Sequence, residues 1–134
     1  MNEINNESPV ILIVDDEEII LRVLSRILRK ELFLVHTALS GSEALDIIRN
    51  NHVDMIICDQ RMPEMSGNKF LSIVSKEKPE IIRTMFTGYT EVNSVIEAIN
   101  KGQIVKFFTK PIDNDELIRE IKEVLKTHKK NLKD

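Results

Sequence analysis

Residues 10–16 read Val-Ile-Leu-Ile-Val-Asp-Asp, an apolar run that ends in two acidic residues. Residues 55–59 repeat this arrangement as Met-Ile-Ile-Cys-Asp. Short runs of this kind, rich in β-branched residues, are typical of buried strands in a parallel sheet. Open α/β sheets bind their ligands beyond the carboxyl ends of the strands, which is where Asp15, Asp16 and Asp59 fall. The two segments therefore predict a site with three carboxylates at the edge of a parallel sheet.

The three carboxylates limit what such a site can hold. Like charges at one point raise each other's pKa and destabilise the fold. Carboxylate oxygens are also the ligands that hard divalent cations prefer, and a bound cation offsets the repulsion. We therefore expect Asp15, Asp16 and Asp59 to hold Mg²⁺.

The composition indicates one folded domain. A chain of 134 residues with 42% hydrophobic residues can bury an ordinary core. A net charge of −3 argues against a nucleic-acid-binding surface over the whole domain. No apolar stretch is long enough to span a bilayer, and the polar N-terminus is unlike a signal peptide. The lone Cys58 suits the reducing cytoplasm. We expect a disordered segment at residues 1–8, the folded domain at 9–126, and a polar helix end or linker at 127–134.

Extended and helical patterns alternate along the chain. The predicted strands are residues 10–14, 32–38, 55–58, about 83–87 and 105–109. Five helices follow them, marked by apolar residues at helical spacing: Ile19, Ile20, Val23, Leu24, Ile27 and Leu28 in the first; Ala44, Leu45 and Ile48 in the second; Phe70, Leu71 and Val74 in the third; about 91–100 in the fourth; Leu117, Ile121 and Leu125 in the fifth. Ser40 with Glu43 predicts a capping box, and Asp113 or Asn114 caps the last helix. This alternation predicts a parallel sheet with helices on both faces.

Two further polar residues fall at predicted strand ends. Thr87 ends the fourth strand, and Lys110 follows the fifth. With them, Asp59 can act as a carboxylate nucleophile toward phosphorus. Lys110 can pair with a phosphoryl oxygen, and Thr87 can donate its hydroxyl to another. Phosphoryl transfer depends mainly on positioning and charge neutralisation, and this set supplies both.

At these residues the sequence closely resembles the receiver domain of bacterial two-component response regulators. The matching segments are residues 13–17 (Ile-Val-Asp-Asp-Glu), 58–67 (Cys-Asp-Gln-Arg-Met-Pro-Glu-Met-Ser-Gly), 86–89 (Phe-Thr-Gly-Tyr) and 108–111 (Phe-Thr-Lys-Pro). Each motif alone is weak, but all four occur in order and at strand ends. The resemblance covers nearly the whole chain, from about residue 9 to about residue 126.

The resemblance implies a fold and a set of roles. The fold would be a flavodoxin-like, doubly wound (βα)5 domain with a five-stranded parallel sheet of order 2-1-3-4-5. Asp59 would accept a phosphoryl group from a histidine kinase or a phosphotransfer protein. Asp16, Asp59 and the backbone carbonyl of Arg61 would contact Mg²⁺, with Asp15 acting mostly through water. The Lys110-Pro111 peptide bond would be cis.

The same resemblance implies a switch rather than an enzyme acting on other molecules. The domain would assist only its own phosphorylation and dephosphorylation. Thr87 would move toward the phosphoryl group and Phe107 would turn inward. We expect this to reshape a surface of the fourth helix, fifth strand and fifth helix, near Val95, Ile99, Lys106 and Leu117. An output domain, an effector protein or a second copy would bind there, in the cytoplasm and without contact to membrane or nucleic acid.

Other functions remain open from the sequence. A pseudo-receiver would bind partners without phosphorylation, but such domains usually lose an acid or the lysine. A haloacid-dehalogenase-like phosphatase also uses an aspartyl nucleophile, but it carries a DxD motif after its first strand, where this chain has adjacent acids. A flavodoxin-like cofactor binder is disfavoured because residues 15–18, Asp-Asp-Glu-Glu, would repel a phosphate. Taken singly, Asp15 or Asp16 could also be a helix cap and Lys110 a surface lysine.

Overall fold

Strands and helices alternate throughout the computed structural model, which describes residues 8–88, 92–111 and 113–133, with side chains up to residue 128. The strands are β1 (Val10–Val14), β2 (Leu34–Ala38), β3 (Met55–Cys58), β4 (Ile82–Thr87) and β5 (Lys106–Thr109). The helices are α1 (Glu18–Lys30), α2 (Gly41–Asn50), α3 (Gly67–Glu77), α4 (Val92–Asn100) and α5 (Asn114–Lys133). No described helix is both long enough and apolar enough to cross a membrane.

All five strands form one parallel sheet in the order β2-β1-β3-β4-β5. The doubly wound (βα)5 fold and its 2-1-3-4-5 order are therefore confirmed. The register aligns the strand ends, since Val14 pairs with Cys58 and Thr87 pairs with Thr109. The residues that follow β1 and β3 consequently emerge side by side at the middle of the sheet.

The core lies on both faces of the sheet. Leu12, Ile56 and Phe70, all 0% exposed, belong to the cluster that α2, α3 and α4 cover. Ile11 and Ile121, also 0% exposed, belong to the cluster under α1 and α5. Each side chain buried this fully stabilises the fold by about 1.5–3 kcal/mol. Every residue of β1 and β3 is buried, which is why both read as unbroken apolar runs.

Side-chain caps determine where the helices begin. The Ser40 hydroxyl accepts the Glu43 backbone N–H at 3.1 Å, as predicted for α2. Asp113 rather than Asn114 caps α5, because its Oδ2 accepts the Glu116 backbone N–H at 3.0 Å. Ser66 caps α3 through the Lys69 backbone N–H at 3.2 Å. This last cap fixes the helix that follows the Asp59 loop.

Two strand boundaries differ from the prediction. The second strand begins at Leu34 rather than Leu32, because Leu32 has a φ of 67° and its N–H closes the end of α1 on the Arg29 carbonyl. The fifth begins at Lys106 rather than Val105. Both predicted strands started too early because apolar residues that close a helix or a loop look like strand residues in the sequence.

Two helix faces also differ from the prediction. On α1, Ile19 is 66% and Val23 50% exposed, while Leu21 and Ser25 are buried. The prediction that Val95 and Leu117 lie near an output surface is wrong. Val95 on α4 is 4% exposed and Leu117 on α5 is 1% exposed, so both belong to the core. In α4 apolar residues occur on more than one face, and the face that packs inward carries Val95 and the small Ala98.

Candidate functional site

The predicted site residues lie together at the carboxyl edge of the sheet. The Asp59 N–H donates to the Val14 carbonyl at 2.9 Å, and the Asp15 N–H donates to the Ala38 carbonyl at 3.1 Å. The Lys110 N–H donates to the Thr87 carbonyl at 2.9 Å. These bonds extend the sheet ladder by one step past each strand. The backbone thus fixes Asp15, Asp59 and Lys110 before any side chain is considered.

Lys110 joins the two buried carboxylates. Its Nζ lies 3.2 Å from Asp15 Oδ2 and 3.5 Å from Asp59 Oδ1. The Lys110-Pro111 peptide bond is cis, as the resemblance implied. Nζ also lies 5.2 Å from the centroid of the Phe86 ring. One ammonium is therefore held between two carboxylates and an aromatic face.

The acidic cluster fits a hard cation. Oxygen atoms of Asp15, Asp16 and Asp59 all lie within 4.8 Å of one another. Asp15 and Asp59 are 1% and 8% exposed, while Asp16 is exposed. The Cys58 thiol is no part of this donor set, because it donates to the Asp59 backbone carbonyl at 3.2 Å. A set made only of carboxylate oxygens suits Mg²⁺ better than zinc, which favours nitrogen and sulfur.

The charges of the site are strongly coupled. The pKa of Asp59 is raised to about 6: burial raises it most, the Lys110 ammonium opposes this rise, and the charge of Asp15 adds to it. Burial alone would lower the pKa of Lys110, but the neighbouring charges of Asp59 and Asp15 outweigh it and the pKa is raised. Lys110 therefore stays protonated, and the negative charge of Asp59 is harder to maintain than that of an ordinary aspartate.

Thr87 is buried without using its hydroxyl. It is 2% exposed, and its Oγ1 has no hydrogen-bond partner among the described residues. On the neighbouring strand, Phe107 is 41% exposed. An unbonded buried hydroxyl at this edge of the sheet is a donor still available to a ligand.

The site opens to solvent through a shallow pocket of about 310 Å³. It is lined by Asp16, Glu17, Asp59, Arg61, Thr87, Gly88 and Lys110. A Cβ at Gly88 would meet nothing within 4 Å, so this wall is open. Tyr89, part of the quoted motif, lies outside the described residues.

Sequence reasoning missed the residues that support the Asp59 loop. The Gln60 carbonyl accepts the Gly67 N–H at 2.9 Å, and Gln60 Oε1 accepts the Asn68 N–H at 2.8 Å. These bonds tie the loop to the first turn of α3. Gly67 is predicted to end this loop, and a glycine at a loop-to-helix junction is itself a signal of close backbone approach. Phe86 carried no such signal.

Fold and site together define a doubly wound domain with an acidic, lysine-bearing pocket at the centre of its strand edge. Residues 11–122 match the family model of the response regulator receiver domain. The chain belongs to this family.

Relatives agree with the assignment. The hydrogenase transcriptional regulatory protein HoxA of Cupriavidus necator is 35% identical over 121 residues, which are 90% of this chain and 25% of HoxA. A CheY-like receiver domain protein from Methanospirillum hungatei superposes with a TM-score of 0.88 at 30% identity, covering 93% of this chain and 99% of that one. The response regulator TrrA of Thermotoga maritima, solved in complex with Mg²⁺-BeF, superposes with a TM-score of 0.77 at 29% identity, covering 86% and 97%. The chain spans about a quarter of the length of the curated relatives it matches.

Proposed function

We propose that Asp59 accepts a phosphoryl group and that the domain is thereby switched between two conformations. The observation that carries this proposal is the position of the Asp59 carboxylate. Asp59 follows β3 and lines an open pocket, with its carboxylate 3.5 Å from the Lys110 ammonium. Thr87, whose buried hydroxyl has no described partner, lines the same pocket. A nucleophile, a cation and a hydrogen-bond donor thus converge on one volume.

The reaction uses these groups in fixed roles. A carboxylate oxygen of Asp59 forms a bond to phosphorus while the donor's P–N bond breaks, and the imidazole leaves with the bonding electrons. Lys110 and the Thr87 hydroxyl bind two phosphoryl oxygens. Since Lys110 is already placed between Asp15 and Asp59, little reorganisation is needed.

Asp16, Asp59 and the backbone carbonyl of Arg61 would hold Mg²⁺, with Asp15 acting through water. The bound cation would neutralise charge on the phosphoryl oxygens. The fit rests on the oxygen-only donor set within 4.8 Å. The bound cation would also offset the repulsion among two nearly buried carboxylates and a third acid.

The test is the phosphate mass added by acetyl phosphate. Wild-type protein with Mg²⁺ should gain one phosphoryl group, and Asp59→Asn should gain none. Asp46→Asn, at an exposed position on α2, is the matched control and should behave as wild type. Excess EDTA should suppress the reaction. Full phosphorylation of Asp59→Asn, or full rate in EDTA, contradicts the proposal.

A histidine kinase or phosphotransfer protein is the proposed donor in the cytoplasm. The exposed Ile19 and Val23 on α1 form an apolar patch near the pocket-lining Glu17. We assign donor contact to this patch. Val23→Ser should slow transfer from a phosphotransfer protein that phosphorylates the wild type, and should leave acetyl phosphate unaffected. Ile96→Ser on α4 is the control. If Val23→Ser slows phosphorylation by the phosphotransfer protein and by acetyl phosphate to the same extent, the assignment is contradicted.

The output surface is the exposed apolar patch of α4 and β5. It consists of Val92, Ile96, Ile99, Val105 and Phe107, each 41–52% exposed. Lys106 Nζ pairs with Glu120 Oε1 at 3.0 Å and joins β5 to α5 beside it. An apolar patch of this kind marks an interaction site. We propose that a second copy binds there after phosphorylation, while an output domain or effector is the alternative occupant. Sedimentation velocity with beryllofluoride should show a dimer that Ile96→Ser abolishes.

The competing functions make different predictions. A pseudo-receiver would take up no phosphate from acetyl phosphate. A phosphatase would turn over p-nitrophenyl phosphate many times, whereas a phosphoacceptor domain assists only its own phosphorylation and dephosphorylation. The phosphoacceptor is favoured because Asp16, Asp59, Thr87 and Lys110 line one pocket and Asp15 lies beside its two acids.

A further inference from the structure

A second pocket lies between α1 and the edge strand β2. Its volume is about 310 Å³, and it is bounded by α1, by Thr37 on β2, and by Leu39 and Glu43 at the start of α2. It shares no lining residue with the Asp59 pocket. The proposed phosphoryl chemistry makes no use of it.

One wall of this pocket is a polar stripe along α1. Glu18, Arg22, Ser25 and Arg29 all line the pocket and recur at helical spacing. Arg26 and Lys30 lie next to Arg22 and Arg29 on the adjoining surface of the same helix. The stripe therefore places positive charge at its middle and its end, with Glu18 at the other end.

Ser25 is the unusual member of the stripe. It is 4% exposed, and its Oγ has no hydrogen-bond partner among the described residues. A serine within a helix commonly bonds the carbonyl of the preceding turn, and Ser25 does not. A buried hydroxyl without a partner is costly, and a ligand that bonds it would offset this cost.

Arg22 and Arg29 each use only part of their hydrogen-bonding capacity among the described residues. Arg22 meets Glu18 only at 3.9 Å, with both side chains mostly exposed. Arg29 donates through Nη2 to the Val35 carbonyl at 3.4 Å, near the limit of a hydrogen bond. Each guanidinium carries five N–H donors in a fork that matches a phosphate or carboxylate. Donors therefore remain for an anion on both sides of Ser25.

We propose that this pocket binds the phosphate or carboxylate group of a small metabolite through Arg22, Arg29 and the Ser25 hydroxyl. Glu18 and Glu43 line the same pocket and accept hydrogen bonds from hydroxyl or amino groups of that molecule. The ligand class is a small anion that carries hydrogen-bond donors. Leu21 and Leu39 supply its apolar contact.

The test is a titration of ¹⁵N-labelled protein with inorganic phosphate, and separately with acetate, in EDTA. Saturable amide shifts at Ser25 and Thr37 are expected, and the probe that binds more tightly identifies phosphate or carboxylate as the ligand group. Shifts at Thr87 and Lys110 report binding in the Asp59 pocket instead. Shifts confined to that pocket overturn the proposal.

Variants distinguish anion binding in this pocket from general attraction of an anion to the positive charges of α1. Ser25→Ala and Arg29→Gln should each weaken the binding that Ser25 and Thr37 report by about tenfold. Arg26→Gln removes the same charge from α1 at an exposed residue that does not line the pocket, and should change binding by less than about threefold. Equal weakening by Arg26→Gln and Arg29→Gln overturns the proposal. So does unchanged binding in Ser25→Ala, whose folding is checked by its thermal midpoint.

Discussion

A side chain on Gly67 would overlap the backbone of Asp59. A Cβ at this position would collide with the Asp59 carbonyl oxygen and lie 3.1 Å from the Asp59 carbonyl carbon. The overlap involves backbone rather than the end of a flexible side chain, so neither atom can move aside cheaply. The close approach of Gly67 therefore fixes the backbone of Asp59, the proposed phosphoacceptor, against the first turn of α3.

Gly67→Ala should therefore displace the Asp59 loop. We expect a loss of about 1–3 kcal/mol in the free energy of unfolding, together with slower phosphorylation by acetyl phosphate. Gly88→Ala is the matched control for stability, because a Cβ there meets nothing within 4 Å. Its free energy of unfolding should stay within about 0.5 kcal/mol of wild type. Urea denaturation of the two variants checks this, and equal stabilities would contradict the steric argument.

The charge on Asp59 should cost stability when no divalent cation is present. Burial raises its pKa from the ordinary 3.8 to about 6, so the folded state holds this proton more tightly than the unfolded state. The cost is absent below about pH 4, grows as pH rises, and is complete above about pH 6. In EDTA at about pH 7.5, Asp59→Asn should be more stable than wild type by about 1–2 kcal/mol, discounted because the carboxylate faces an open pocket.

Urea denaturation at both ends of that pH range measures the effect. The advantage of Asp59→Asn should vanish near pH 4, and saturating Mg²⁺ should reduce it at neutral pH. Asp46→Asn, at an exposed position on α2, is the control for the same carboxylate-to-amide change outside the site. Asp15 is a poorer choice for neutralisation, because its Oδ1 accepts the Glu17 N–H at 2.8 Å and its Oδ2 pairs with Lys110 at 3.2 Å. A stability gain that is the same at both pH values would contradict the linkage.

Phe86 should position Lys110. The ammonium lies 5.2 Å from the ring centroid, and such a contact contributes about 0.5–1 kcal/mol. Phe86→Leu should therefore slow phosphorylation by acetyl phosphate about two- to fivefold, without changing the Mg²⁺ concentration needed for half-maximal rate. Phe108→Leu is the control, since Phe108 is buried in the same cluster and pairs with Phe86 on the adjacent strand. Equal slowing in both variants would indicate general loosening of the core.

The sequence predicted most of the site because the site follows from strand order. Asp15 and Asp59 end unbroken apolar runs, and parallel strands bring such ends to one edge. Thr87 and Lys110 end the next two strands, so their convergence required only that β4 and β5 pair in parallel. The cis Lys110-Pro111 bond was predicted from the family resemblance rather than from strand order.

Helix faces and hydroxyl partners could not be predicted in the same way. Ile19 and Val23 fit an apolar stripe, yet α1 buries Leu21 and Ser25 instead. The helix carries more apolar residues than one face can hold, so the sequence does not determine its rotation. The sequence predicted that clustered carboxylates raise each other's pKa, but not that burial is the main cause of the raised pKa of Asp59. That cause and the unbonded state of the Thr87 hydroxyl depend on how distant segments pack, which no local pattern encodes.

Thr87 should be dispensable for stability and required for the switch. Its buried hydroxyl has no described partner, so Thr87→Val should not lower the free energy of unfolding by more than about 0.5 kcal/mol, and removal of an unpaired hydroxyl can raise it. Thr84→Val, on the same strand, removes a hydroxyl that donates to the Ile56 carbonyl at 2.8 Å, and should cost about 1 kcal/mol. The comparison separates a hydroxyl that has no partner among the described residues from one that is bonded within the fold.

The functional half of this prediction concerns Phe107, which is 41% exposed. Beryllofluoride at Asp59 should draw the Thr87 hydroxyl toward it, and the vacated space should let the Phe107 ring turn inward. We expect the two packings to exchange in the free domain already, so that the ligand shifts their populations. NMR of the wild type should show changes at the Asp59 loop, Thr87, Phe107 and α4. In Thr87→Val the Asp59 loop should still respond while the Phe107 ring stays in its free position. A full Phe107 response in Thr87→Val would show that the ring turns without the hydroxyl.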